Sequence, residues 1–233
     1  MENLFLKYMS ERPDKERSKK EVTPLNKPVI TISREYGCPG ERIAEKLTNV
    51  LLKKGQLHHG SQEWHWISKE IIEQSAKKLK MSPSMINELS KKGESGFFDN
   101  LTVFFSDMFY PADSRIQSSI ASFIYETASN GHVVILGRAS EIITHNFLNA
   151  LHVKLYAPMD WRAEMTSINE NVSMSAAKKI CEENDLRREN YRKFYRGDKS
   201  EKLYFNAMFN CKDLSDDEII EMILILAETR GFV

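Results

Sequence analysis

The period of the hydrophobic positions changes repeatedly along this chain. Val29-Ile30-Thr31-Ile32-Ser33 is β-branched and nearly all apolar, which predicts a strand buried on both faces. After a turn from Arg34 to Gly40, apolar residues recur as Ile43, Ala44, Leu47, Val50 and Leu51, the spacing of an amphipathic helix, with Gly55 as its expected stop. Glu63 to Ile67 reads as a second short strand. Ser68 caps a helix from Lys69 to about Leu79, and Ser82-Pro83 opens another carrying Met85, Ile86 and Leu89. Phe104, Phe105 and Phe109 recur at helical spacing and read as core. Asp113 caps a helix over 114–130, which Gly131 closes. Val133-Val134-Ile135-Leu136 is a second strand of the fully buried kind.

The alternation continues to the end. Gly137-Arg138 leads into a helix through Ile142 and Ile143. Leu151 to Ala157 is a third such strand, and Pro158 takes the first position of the next helix. Ser173 or Ser175 starts a long helix that Gly197 stops. Leu203 to Phe209 is the last strand, and Asp213, Asp216, Asp217, Glu218 and Glu221 gather at the start of the final helix, where the dipole favours acids. Strands alternating with helices predict an α/β fold with a parallel sheet and right-handed crossovers. Residues 1–28 stand apart: a short apolar stripe (Leu4, Phe5, Tyr8, Met9), a charged run and two prolines read as a helical arm and linker ahead of one domain over 29–233.

Composition narrows the picture. The 233 residues carry 33 Lys+Arg and 33 Asp+Glu, so the chain as a whole is not a polycation that coats nucleic acid. No apolar run has the ~18–20 residues of a membrane span. Cys38, Cys181 and Cys211 lie far apart in sequence without metal-ligand spacing. With no signal peptide in view, they read as thiols of a reducing, cytoplasmic compartment.

In a parallel sheet, ligands sit at the carboxyl ends of strands. The turn after the first strand offers backbone N–H groups at a positive helix end, and Gly37 and Gly40 would let a phosphate come close. A ligand-free tight turn explains the same residues. The usual phosphate loop is G-x-x-x-x-G-K-[ST]. With Gly40 as the second glycine, Glu41 stands in place of the lysine and Arg42 in place of the hydroxyl. Arg34 and Arg42 are the nearby cations, and a guanidinium binds phosphate in bidentate fashion. Arg138, after the second buried strand, points to the same face, or simply pairs with Glu141. Arg187 to Arg196 holds five cations and one acid, with Arg188, Arg192 and Arg196 on one stripe beside Tyr191 and Tyr195. That stripe could clamp phosphates, follow a nucleic-acid backbone, or be a solvated face. His58 and His59 lack carboxylates at ligand spacing, and no serine sits in a hydrolase elbow.

The segments ITISREYGCPGERIAEKL, HWISKEII, HVVILGRASEII, LHVKLYAPMDWRAEM and DLRRENYRKFYRGDKSEKLYFNAMFN, in this order, resemble the cytidylate kinase-like proteins, a divergent branch of the nucleoside monophosphate kinases. The resemblance spans roughly 29–229. It implies a three-layer α/β/α P-loop kinase-like fold with a five-stranded parallel sheet and helical lid and acceptor insertions. It also implies transfer of the ATP γ-phosphoryl group, with Mg²⁺, to a nucleotide such as CMP. On this resemblance, Ser33, Arg34, Gly37, Cys38, Pro39, Gly40, Glu41 and Arg42 form the phosphate loop, and Asn210 lies near the nucleotide base. Trp66, Ser68 and Lys69 line the acceptor site together with Gly137 and Arg138. Arg162 opens the lid region. Asp185 and Arg188 are its Asp-x-x-Arg pair, and Arg187 joins them over the γ-phosphoryl group.

The chain departs from that pattern at several places. It has no phosphate-loop lysine, Gly-Arg-Asp becomes Gly137-Arg138-Ala139, and Cys181-Glu182 replaces an Arg-Asp pair of the lid. Pro39 removes one N–H from the loop. Two functions fit: a nucleotide kinase with a degenerate phosphate loop, or a non-catalytic nucleotide- or anion-binding relative.

Overall fold

The computed structural model describes residues 27–58, 63–68 and 114–233. The expectations for the N-terminal arm, the helices after Ser68, the aromatic run, the Asp113 cap, His59 and Lys69 lie outside these residues.

Five strands form one wholly parallel sheet in the order β2-β3-β1-β4-β5. They are β1 (Val29–Arg34), β2 (His65–Ile67), β3 (Val133–Leu136), β4 (Ala150–Tyr156) and β5 (Ala207–Asn210). β1 lies at the centre because its apolar run tolerates burial on both faces. Ile30 and Ile32 face one layer, and Val29 faces the other. The helices are α1 (Gly40–His58), α2 (Ser114–Asn130), the single turn α3 (Ser140–Ile143), α4 (Met159–Glu170), α5 (Met174–Arg196) and α6 (Asp216–Thr229). Ile43, Leu47 and Leu51 of α1 and Ile219 and Ile223 of α6 cover the first face. Ile120 and Ile124 of α2, Ile143 of α3, and Tyr191 and Tyr195 of α5 cover the second. Each such aliphatic side chain contributes roughly 1.5–3 kcal/mol on burial. The result is a three-layer α/β/α fold.

Several boundaries differ from the sequence expectation. Gly55 does not stop α1: it is a buried interior residue, and the helix runs on to His58. A glycine inside a helix costs only about 1 kcal/mol, which the packed face of α1 outweighs. Pro158 is the residue before α4 rather than its first, with φ −55° and ψ 143°. The stretch from Leu203 divides into a 3₁₀ turn, Glu201–Tyr204, and β5. Ser173, one of the two serines expected to start α5, accepts from the Ala176 amide, and α6 opens with a reciprocal capping box between Ser215 and Glu218 that the sequence expectation did not single out.

Among the described residues, no helix is long and apolar enough to cross a membrane.

Candidate functional site

The carboxyl ends of β1, β3 and β4 meet at the loop between β1 and α1. Gly37 takes φ +87°, and a Cβ there would come within 2.7 Å of the Arg162 carbonyl. The backbone of α4 therefore presses on Gly37, which gives this glycine a packing reason distinct from the approach of a phosphate. Beyond β3 the chain holds three left-handed residues in succession: Gly137 at +76°, Arg138 at +61° and Ala139 at +53°. For Arg138 and Ala139 this conformation costs about 1–3 kcal/mol each, and such strain collects at functional sites. The Arg34 side chain lies across this turn. A Cβ on Gly137 would fall 2.2 Å from its Nη1.

Arginines of α4 and α5 hold the loop from above. Arg162 is buried. Its Nε donates to the Ala157 carbonyl (2.9 Å), and its Nη1 donates to the Tyr36 carbonyl (3.1 Å) and to Asp185 Oδ2 (2.5 Å). Glu35 Oε2 sits 3.3 Å from its Nε and also accepts the Ala157 amide. Asp185 Oδ1 accepts the Tyr36 amide at 2.8 Å. Arg188 Nη1 donates to the Arg34 carbonyl (3.1 Å), and its guanidinium stacks 5.1 Å from the Tyr36 ring centre. The Tyr36 hydroxyl donates to Glu170 of α4. Burial first, then Glu170, raise the pKa of that phenol well above its ordinary value, so it stays protonated.

Arg192 reaches furthest in. Its Nη1 donates to Ser33 Oγ at 3.1 Å, and its Nη2 meets Glu189 (3.1 Å) and Glu201 (3.2 Å). Lys154 of β4, opposite Ser33 in the strand register, binds Glu201 at 2.6 Å. Glu141 of α3 is buried beside this group, and neither carboxylate oxygen has a hydrogen-bond partner among the described residues. Burial pushes its pKa up, and Arg192 opposes that only in part. Glu189 shows the reverse balance: burial raises its pKa, but the Arg192 hydrogen bond and the charges of Arg192 and Arg196 hold it below the usual range.

Several expected residues are placed differently from their supposed tasks. Arg42 turns outward and forms a bidentate pair with Asp216 of α6. Glu41 is exposed at the start of α1. Asn210 spends its side chain on its own turn, donating to Asp213 and accepting the Lys212 amide. Trp66 packs against the first core face from within β2, and Ser68 follows that strand in a bend. Arg187 is half-buried on α5, and Arg138 is half-buried in the strained turn.

The loop amides are largely occupied. The Cys38 amide donates to the Glu35 carbonyl (3.2 Å), the Gly40 amide to the Cys38 carbonyl (2.8 Å), and the Tyr36 amide to Asp185. Pro39 has none. The Gly37 amide and the first-turn amides of Glu41 and Arg42 are engaged by none of these partners.

Sequence reasoning gave no role of their own to Glu35, Tyr36, Lys154 and Glu201, and weighed Glu141 only as a partner for Arg138. One signal was present: Lys154 and His152 are polar residues inside an otherwise apolar strand run. The carboxylates gave none, because their partners come from distant segments.

A parallel three-layer sheet whose first strand-to-helix loop is ringed by guanidinium groups defines a kinase-like protein of the phosphate-loop class. The model of the cytidylate kinase-like family matches residues 29–213, and the chain belongs to that family. No curated protein matches the chain. Among solved structures, an uncharacterized protein from Eubacterium ventriosum aligns at 21% identity with a TM-score of 0.62, covering 87% of this chain and 99% of that one, and shares the fold. Shikimate kinase from Acinetobacter baumannii, solved with shikimate, aligns at 13% identity and TM-score 0.47, covering 88% and 96%. A shikimate kinase from Bacteroides thetaiotaomicron aligns at 13% identity and TM-score 0.45, over 87% and 97%.

Proposed function

We propose that the chain binds the phosphates of a nucleotide at the carboxyl ends of β1 and β3 and passes a phosphoryl group from ATP to a nucleoside monophosphate such as CMP. The observation that carries this reading is the convergence of Arg34, Arg188 and Arg192 on the end of β1 and the strained Gly137 turn, of which Arg138 is itself a member. Guanidinium groups bind phosphate oxygens in bidentate fashion and neutralise charge that spreads during transfer. Phosphoryl transfer asks the protein mainly for positioning and charge stabilisation.

In this reading Arg34 takes the place of the absent lysine, with its stem beside Gly40 and its guanidinium across the Gly137 turn. The Gly37 amide and the first-turn amides of α1 donate to the donor phosphates. Arg138 orients the acceptor phosphate, and Arg187 and Arg188 face the group in transfer. Arg162 and Asp185 act as positioning residues: they fix the Tyr36 peptide and so set the path of the loop. The residues present do not fit a magnesium ion held by side chains. Of the carboxylates at the loop, Glu35 and Asp185 are both engaged by Arg162 and Glu41 is exposed at the start of α1, while Arg42 stands at the usual hydroxyl position. Among the described residues, no group of three or more His, Cys, Asp and Glu gathers as a ligand set.

A second reading, binding without transfer, is favoured by one observation: the Tyr36, Cys38 and Gly40 amides are already bonded within the protein. The nucleic-acid reading of the α5 stripe has little support. Arg188 and Arg192 turn toward β1, and Arg196 binds Glu189 and the Lys199 carbonyl.

The test is a coupled assay for ADP with ATP, magnesium chloride and each nucleoside monophosphate in turn, run beside calorimetric titration of ATP. ADP formation that depends on one monophosphate supports transfer. ATP binding without product supports the second reading, and no ATP binding contradicts both.

A further inference from the structure

The sequence separates the three cysteines widely, but the fold brings two of them together. Cys38 lies in the β1–α1 loop, and Cys211 directly follows β5. β4 stands between the two parent strands, and both segments are fastened to its end. The Glu35 amide donates to the Leu155 carbonyl at 3.0 Å, and the Cys211 amide donates to the next carbonyl, of Tyr156, at 2.8 Å. The helices that follow are braced together as well. Arg42 pairs with Asp216, and Lys46 lies 3.8 Å from Asp216 and 3.2 Å from Asp217. Between these anchors Cys38 and Cys211 pack in one apolar cluster, and each thiol is the foremost influence on the other's protonation. Cys211 is 6% exposed and Cys38 is half-buried, so solvent reaches the pair from the loop side. Cys181 is elsewhere, buried with its sulfur 3.3 Å from Thr166 Oγ1.

We propose that Cys38 and Cys211 form a dithiol modification site that a peroxide closes to an intramolecular disulfide. Bracing matters because a disulfide needs closely placed, properly aimed Cβ atoms, and two independently anchored segments bring both side chains into one apolar cluster. The pair also shares a proton in a useful way. The remaining S–H donates to the thiolate, which pulls the Cys211 pKa down and pushes that of Cys38 up.

The chemistry balances with hydrogen peroxide as oxidant. With the shared proton on Cys38, the Cys211 thiolate attacks the peroxide. An S–O bond forms, the O–O bond breaks, and the departing hydroxide takes up a solvent proton to become water. The Cys38 sulfur then attacks the sulfenyl sulfur of Cys211. An S–S bond forms, the S–O bond breaks, and the Cys38 proton leaves with the hydroxide as a second water. Two thiols are oxidised, and one peroxide is reduced to two waters.

The experiment treats the full chain with hydrogen peroxide, blocks residual thiols with N-ethylmaleimide and maps the linkages by mass spectrometry without reductant. It involves no nucleotide, so its outcome is independent of phosphate binding. The expected result is a Cys38–Cys211 link within one chain, reversed by dithiothreitol, with Cys181 still alkylated after denaturation. Cys38→Ser abolishes the link, and Cys181→Ser leaves it unchanged. The proposal is overturned if Cys38 and Cys211 stay free, oxidise separately to sulfinic acids, or link only between chains or to Cys181.

Discussion

Single residues decide how the loop and the β3 turn hold their shape. Gly137 is the sharpest case, because its left-handed φ and the nearness of Arg34 both exclude a side chain. Gly137→Ala is expected to lower stability by about 1–2 kcal/mol, the penalty for an L-residue in that region. It should also displace the Arg34 guanidinium and weaken ATP binding. Urea unfolding and calorimetry read the two effects separately. His152 gives a pH signature. Its ring is buried on β4 with Nδ1 2.8 Å from Thr31 Oγ1, and burial first, then His145 and Arg230, lower its pKa to about 4. The unfolded chain therefore binds this proton near pH 6.5 and the folded one only near pH 4. Stability is fully present above about pH 6.5 and falls as the pH drops toward 4, by up to about 3 kcal/mol. Urea midpoints between pH 7.5 and 4.5 should fall, and His152→Gln should flatten that fall; an unchanged slope in the variant would refute the assignment.

At the scale of elements, α4 and α5 act as a clasp on the loop. Arg162 is the rivet, binding the carbonyls of Tyr36 and Ala157 and the carboxylates of Glu35 and Asp185. Arg162→Met strands both carboxylates and is expected to cost about 3 kcal/mol, the low end for an opened buried pair because they retain some water. Asp185→Asn keeps an acceptor for the Tyr36 amide and should cost about 1 kcal/mol. Equal losses in denaturant titrations would contradict this division of labour. The elements were largely legible in sequence because β1, β3 and β4 are apolar runs and α1 and α2 keep a helical period. The clasp was not. The stripe of Arg188, Arg192 and Arg196 could be read, but periodicity cannot say whether a cation faces solvent or a carbonyl from a strand far away in sequence. Arg42 illustrates the converse. Its place beside the loop suggested phosphate, but Asp216 was the nearer anion once α1 and α6 packed side by side. For the same reason the meeting of Cys38 with Cys211 is invisible in the spacing of the cysteines.

For the molecule as a whole, the proposed phosphate binding turns on one substitution of chemistry. Under that proposal, a phosphate loop without its lysine, with several amides already bonded internally, depends on guanidinium groups gathered from β1, the β3 turn and α5. Arg34 is central, being the side chain that runs past Gly40 and lies across the Gly137 turn. The most direct measurement is calorimetric titration of ATP into the wild-type chain and into Arg34→Gln, with folding of both checked by circular dichroism. Saturable binding to the wild type that weakens about tenfold or more in the variant, a loss of at least about 1.4 kcal/mol, is the predicted result. No binding to the wild type, or equal affinity in the two proteins, would contradict it.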